Sequence, residues 1–164
     1  MTLKMSTSTA TFTRPNDTTA YAANDLVANS ATAGSVTPMS FPVPHGLGKG
    51  VVLRQIKVQK SGTTPTNGNF HLRLYASSPT CANGDNGAWS TTLSGYLGKA
   101  ESVIVEAFTD GSATVDSMSE AADIHFVVSA GAPVIYGLLV ADAAYTPAAL
   151  EVFTITLYFE HYGV

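Results

Sequence analysis

The most regular pattern in the chain lies near its C-terminal end. In "LEVFTITLYFEHY", residues 150–162, Phe153, Ile155, Leu157 and Phe159 alternate with Thr154, Thr156 and Tyr158. Strict alternation sends the two sets to opposite sides of an extended chain, so it predicts a strand with one buried face. "FHLRLYAS" (70–77) repeats the design, with Phe70, Leu72, Leu74 and Ala76 set against His71, Arg73 and Tyr75. In "VVLRQIKVQKS" (51–61), Val52, Ile56 and Val58 oppose Gln55, Lys57 and Gln59, and Arg54 interrupts the apolar side. "ESVIVEAF" (101–108), "DIHFVVSAG" (123–131) and "APVIYGLLVAD" (132–142) supply further strands rich in Val, Ile and Phe.

These strands are separated by Gly, Pro, Asn and Asp, and no long amphipathic helix intervenes. The pattern predicts an all-β protein, an antiparallel β-sandwich. A jelly roll is the preferred topology, with an immunoglobulin-like sandwich as the alternative. The turn-rich "SGTTPTNG" (61–68) between two strands predicts that they form an antiparallel hairpin.

The first fifty residues read differently. Residues 1–13 are a Ser/Thr-rich tract, and Pro15, Pro38, Pro42 and Pro44 punctuate the stretch from there to residue 50. Each proline fixes its own φ and pushes the preceding residue toward extended geometry. The expected division is therefore an N-terminal arm and Pro/Gly-rich connector over 1–50, then a sandwich core over 51–164. Thr2–Arg14 is expected to be a tail ordered mainly by partners, with Thr18–Val27 docking it to the sandwich. Twenty extended residues at roughly 3.3 Å each reach about 65 Å.

Composition sharpens this picture. Only 12% of the 164 residues are charged, about half the usual share of roughly 25%. Such a surface is coated with Ser, Thr, Asn and Gly or lies against neighbours. The net charge of −4 argues against a nucleic-acid binder, which needs a basic stripe to displace counterions. Cys81 is the one cysteine, so it forms neither an intrachain disulfide nor a Cys-rich zinc cluster. No apolar run approaches the roughly 18 residues of a membrane-spanning helix. The opening "MTLKMSTSTA" has no apolar stretch of the secretory kind, so export by that route is not expected.

Candidate chemistry is sparse. "PHGLGKG" (44–50) superficially resembles a phosphate loop, but Lys49 is followed by Gly50 and a strand instead of Ser or Thr and a helix. "CANGDNGAW" (81–89) surrounds Asp85 with Asn and Gly; a turn fits better than a calcium loop, because the spacing of calcium ligands is missing. His45, His71, His125 and His161 lie far apart, with no zinc-binding pair, and the expectation for His71 and His125 is a solvated strand face. Glu101, Glu106, Glu151 and Glu160 are candidates for paired carboxylates, but their expected places are strand ends and polar faces, in water. No catalytic residue, metal site or cofactor is expected.

Four stretches together carry a resemblance. "FTRPNDTTAYAANDLV" (12–27), "KSGTTPTNGNFHLRLY" (60–75), "SPTCANGDNGAWSTT" (78–92) and "IYGLLVADAAYTPAALEVFTITL" (135–157) resemble a family of small tailed-phage and prophage virion proteins, some of them like capsid cement or decoration proteins. Cys81 and Asn24 depart from the small residues expected at those positions. The resemblance implies a protein that bridges major capsid protein subunits on the capsid surface, made in the bacterial cytoplasm. Capsids present threefold junctions, so symmetry adds the expectation of a homotrimer, and no contact with nucleic acid or membrane is expected. Arg14, Tyr21, Leu26, Trp89 and Tyr96 are the expected interface residues. Two other readings compete. One is a tail- or fibre-associated carbohydrate- or receptor-binding sandwich using Tyr21, Tyr75, Trp89 or Tyr96; the other is a hydrolase whose carboxylates converge in a cleft.

Overall fold

The computed structural model describes residues 4–43, 50–104, 106–117, 124–127 and 134–162. In chain order its strands are β1 (Lys4–Thr13), β2 (Leu26–Val27), β3 (Met39–Pro42), β4 (Gly50–Lys60), β5 (Asn69–Tyr75), β6 (Tyr96–Val103), β7 (Glu106–Phe108), β8 (Gly111–Ser117), β9 (Ile124–Val127), β10 (Val134–Ala141) and β11 (Val152–Tyr162). The described residues contain no helix.

The strands form two antiparallel sheets. The first runs β1-β11-β4-β8-β7, with β9 also paired to β4; the second runs β2-β10-β5-β6, with β3 also paired to β10. The pairing is nested. The first strand meets the last, β2 and β3 meet β10, β4 meets β8 and β9, and β5 meets β6. A long ribbon rolled up on itself gives this order, which is that of a jelly roll and not of an immunoglobulin sandwich.

The alternating strands face one another across the interior. Phe70, Leu72 and Leu74 of β5 and Phe153, Ile155, Leu157 and Phe159 of β11 are fully buried in one core. Phe153 links the layers, stacked on Phe12 at 5.5 Å and edge-on to Phe70 at 5.4 Å. Burying one such side chain contributes about 1.5–3 kcal/mol.

Three expectations are corrected. First, β4 and β5 are not a hairpin: they lie in different sheets, and "SGTTPTNG" crosses between them. Two strands with one apolar face each can pair side by side or oppose each other across a core, and alternation is the same in both cases. Second, Arg54 does not spoil a face. Between Tyr158↔Gln55 and Phe159↔Leu53 the register shifts, leaving Arg54 as the extra residue of a β-bulge. The bulge changes phase, so Val51 and Leu53 before it and Ile56 and Val58 after it join the main core, while Val52 does not.

Third, residue 50 is no boundary. β1 pairs with β11 over its whole length, β2 and β3 belong to the second sheet, and Tyr21, Val27, Phe41 and Val43 are core residues. The Ser/Thr tract is extended as expected, but its partner is the chain's own last strand. His45 and Lys49, with the rest of the phosphate-loop-like stretch before Gly50, lie outside the described residues.

Candidate interaction surfaces and the polar ties beneath them

Arg14 follows directly on β1 and is buried, 1% exposed. Pro15 comes next, so the strand cannot continue and the side chain turns under the β1–β2 connector. There Nη2 donates to Asp85 Oδ2 at 2.8 Å and Nε donates to the Tyr21 hydroxyl. The Tyr21 hydroxyl donates in turn to Asp85 Oδ1 at 2.7 Å, which also accepts the Ala28 amide at 2.8 Å. Arg14 Nη1 reaches the carbonyls of Asp17 and Ala148. Burial opposes the Arg14 charge, but Tyr21 and Asp85 outweigh it and the pKa is raised. Burial, then Asp85, lifts the Tyr21 phenol far above its ordinary range. Both oxygens of Asp85 are thus occupied by the protein itself. The tie joins β1, the connector and the 81–89 loop, segments far apart in sequence.

That loop sits tightly. A Cβ on Gly84 would meet the Ala31 carbonyl oxygen at 2.2 Å, so only glycine allows this approach. Asn86 adopts φ 60° in the adjoining turn, a conformation asparagine tolerates.

A second tie lies at the start of β11. Lys60 Nζ donates to Glu151 Oε1 at 3.2 Å and to the carbonyls of Gly62 and Thr64, and the Tyr145 hydroxyl donates to Glu151 Oε2 at 2.5 Å. Lys60 and Glu151 are 4% and 1% exposed. Burial, then Glu151, raises the Tyr145 pKa far above normal. A cleft of about 530 Å³ opens above them, lined by Thr63, Thr64, Thr66, Asn67 and Thr146 among others. The three donors of Lys60 already have acceptors, so the ion pair acts as the cleft's floor and holds the crossing 61–68 segment against β11.

The outer face of the second sheet is covered. Tyr75, Cys81, Leu26, Ala28 and Leu138 form a second, smaller core there, with half-buried Trp89, Tyr96 and Tyr136 packed on it. The Arg73 guanidinium lies 3.8 Å from the centre of the Trp89 ring, and Tyr75 packs on Tyr96 at 5.4 Å. Burial pushes the Cys81 thiol up and raises the Tyr75 phenol to about 12. Beside them His71 is 2% exposed. Its Nδ1 bonds Asp142 Oδ1 at 2.5 Å, while Nε2 accepts from Arg73 Nε at 3.0 Å. Because Nε2 is an acceptor, the ring is neutral and Nδ1 carries the proton. Burial lowers the His71 pKa, only partly offset by Asp142.

Among the described residues, nothing packs over the outer face of the first sheet. β1 turns Met5, Thr7, Thr9, Thr11 and Thr13 outward, in part or wholly exposed. β11 adds Thr154, Thr156 and Tyr158, and β4 adds Gln55, Lys57 and Gln59 in register beside them. Thr9 and Thr156 join through their hydroxyls at 2.9 Å, and Thr11 and Thr154 do so at 3.0 Å. Arg54 and Glu160 form an ion pair at the far end of this sheet.

The expected interface residues fall into two groups. Arg14, Tyr21 and Leu26 are internal, which corrects their assignment to a contact surface: Arg14 and Tyr21 answer Asp85, and Leu26 packs in the smaller core. Trp89, in the cover, and Tyr96, at the start of β6, are half-buried against the smaller core on the second sheet. Of the aromatic residues named for sugar stacking, Tyr21 and Tyr75 are buried and Trp89 has Arg73 on its ring. The four glutamates do not share a cleft. Glu151 faces Lys60, Glu160 faces Arg54, Glu101 bonds Lys99 at 2.7 Å, and Glu106 is exposed on β7. Expected water contact for Glu151 and His71 is corrected to burial. His125 is exposed as anticipated. No group of three or more His, Cys, Asp or Glu that could hold a metal ion occurs among the described residues.

The molecule is thus a jelly-roll sandwich in which, among the described residues, one sheet is covered and the other is bare. No protein-family model matches the chain, and no curated protein matches it. The chain is similar to one in the cryo-EM structure of the giant freshwater prawn Macrobrachium rosenbergii extra small virus (XSV) VLP. That similarity is 8% identity over 97% of this chain and 80% of the other, with a TM-score of 0.26. A likeness this low transfers neither fold nor function.

Proposed function

We propose that this protein is a structural component of a virus particle, a tailed-phage cement or decoration protein that bridges major capsid protein subunits on the head. The observation that carries the reading is the contrast between interior and surface. The buried charges Arg14, Asp85, Lys60 and Glu151 are engaged in tying segments of the chain together, whereas the first sheet presents a face of Thr, Gln and Tyr with Lys57 as the one charge in the described rows of β1, β11 and β4, apart from the Arg54–Glu160 ion pair at the far end. A bridging protein needs a rigid body and broad, weakly charged contact faces, because the centres of interfaces are depleted of charge. The resemblance of the four sequence stretches to small virion proteins supports the same reading. Capsid junctions favour a trimer as the bound form.

Quantitative mass spectrometry of purified virions from the phage or prophage that encodes the chain tests this. Hundreds of copies per particle are expected for a head protein. A handful per particle would move the protein to the tail, and absence from the particle would sink the proposal.

A further inference from the structure

The edges of the two sheets are guarded unequally. β7 is three residues long, β9 four and β2 two. β3 has four residues and ends in Pro42, which cannot donate to a ladder. β6 has eight, but carries Lys99 and Glu101 and is broken by a register shift beside Gly98. Shortness, proline, charge and bulges are the means by which sheet edges avoid unwanted pairing.

β1 has none of these. It runs ten residues in unbroken register with β11, contains no proline, and bears one charge, Lys4, at its first position. Among the described residues it forms no ladder on its other side. The four residues of β3 approach β1 across the open side of the sandwich without pairing with it.

We infer that the free edge of β1 is a self-association surface, on which β1 of a second copy pairs antiparallel to make one continuous sheet. The pattern on the strand selects this occupant. A two-fold axis perpendicular to the sheet keeps each face on its own side, so odd-numbered residues meet odd-numbered ones. Any such axis passing through residue 8, 9 or 10 sets outward threonines of the two copies opposite each other. β1 already makes this cross-strand pair twice on its other side, with Thr156 and Thr154. A hydroxyl both donates and accepts, so Thr9 and Thr11 can extend the row instead of abandoning it. The same axis carries the two Lys4 residues to opposite ends of the joint, so no like charges meet. A strand of mixed charge would find no matching charge along Met5–Thr13.

The joint is narrow. Ten residues span about 33 Å, and at about 10 Å between layers the contact covers roughly 300 Å² per copy. A standard interface buries about 800 Å² per partner. Pairing therefore shows at high protein concentration, or where copies are held side by side. Being two-fold, it is separate from any threefold grouping and links one such group to the next. It does not depend on the virion reading: an edge dimer in solution would stand even if the chain were absent from every particle.

The test is sedimentation of the full chain from micromolar to millimolar concentration, with amide exchange followed at both ends of the range. The expected result is a reversible dimer whose formation protects amides of β1. Thr7→Lys/Thr9→Lys/Thr11→Lys, which sets like charges opposite each other about any of the three axes, is expected to remain monomeric with an unchanged circular dichroism spectrum. If that variant fails to fold, Thr9→Cys, Thr7→Cys/Thr9→Cys and Thr9→Cys/Thr11→Cys, which match axes through residues 9, 8 and 10, provide the second arm: with an added mild thiol oxidant one of them is expected to form a disulfide-linked dimer through the exposed strand while buried Cys81 stays reduced. A wild-type chain that sediments as a monomer throughout, with unchanged β1 exchange, overturns the inference. So does a dimer that protects some other segment.

Discussion

The outer faces of the two sheets have had opposite fates. Over the second sheet the chain builds a cover: the 76–95 segment returns across β5 and β6, buries Cys81 and Tyr75, and is pinned by Asp85 to Arg14. Over the first sheet nothing among the described residues returns, and rows of Thr and Gln stand in the open beside the one long, unguarded edge. Both faces belong to the same kind of alternating strand. The difference teaches that in this jelly roll the covered side is held by long-range polar ties, whereas the other face, among the described residues, has none laid over it.

The severest way to break the covered side is Asp85→Ala. It leaves the Arg14 guanidinium buried without its counter-charge, a defect that typically costs about 3–5 kcal/mol. For a chain of this size each kcal/mol lowers Tm by roughly 2–4 °C, so a drop of roughly 6–20 °C is expected in thermal unfolding. A variant within a degree or two of wild type would show that the tie does not hold the cover. Glu151→Ala, at the second tie, is expected to cost less, about 2–3 kcal/mol, because Lys60 keeps two backbone acceptors. The double replacement Lys60→Met/Glu151→Leu should recover much of that loss, since an apolar pair of similar size avoids desolvating charge. Urea titration of the three variants measures both effects.

Trp89→Ala tests the cover locally, with an expected cost of about 2 kcal/mol for a half-buried side chain. Its sharper readout is chemical. Labelling of Cys81 by a thiol reagent under native conditions should accelerate well beyond wild type, and an unchanged rate would separate Trp89 from the protection of Cys81. His71 provides the pH arm. Its folded pKa lies below the ordinary 6.5, so below about that pH the unfolded chain binds the proton that the folded chain resists. Its contribution is complete above that range and is lost as pH falls through it toward the folded value. His71→Gln should flatten the stability–pH curve between neutral and mildly acidic conditions, and an unaltered curve would refute the assignment. The smallest effect belongs to the bare face. Thr9→Val removes one exposed hydroxyl pair and should change stability by no more than about 0.5 kcal/mol, with a larger loss indicating that this face is already part of a cooperative structure.

Much of the framework was legible in residue order. The alternation of β5 and β11 marked Phe70, Leu72, Leu74, Phe153, Ile155, Leu157 and Phe159 as inward, and each is fully buried. The all-β class came from the same periodicity. Strand pairing was less legible: β4 and β5 read as neighbours because they are consecutive, and nothing local distinguishes pairing within a sheet from packing across one. The site residues were the hardest. Arg14, Tyr21 and Asp85 each looked like a surface or turn residue, and the signal that joins them is a contact across 71 positions. Lys60 and Glu151, 91 positions apart, carry no local mark of burial at all.

The sequence by itself determined which residues would alternate, where turns would fall and that no long helix would form. These depend on side-chain period and backbone preference, which are properties of neighbours along the chain. Only the tertiary structure decided that the first strand closes on the last, that Arg54 is absorbed by a bulge, and that, among the described residues, one sheet is covered while the other is not. Those outcomes rest on desolvated charges finding partners and on edges finding or lacking a strand, and both are set by residues distant in the chain.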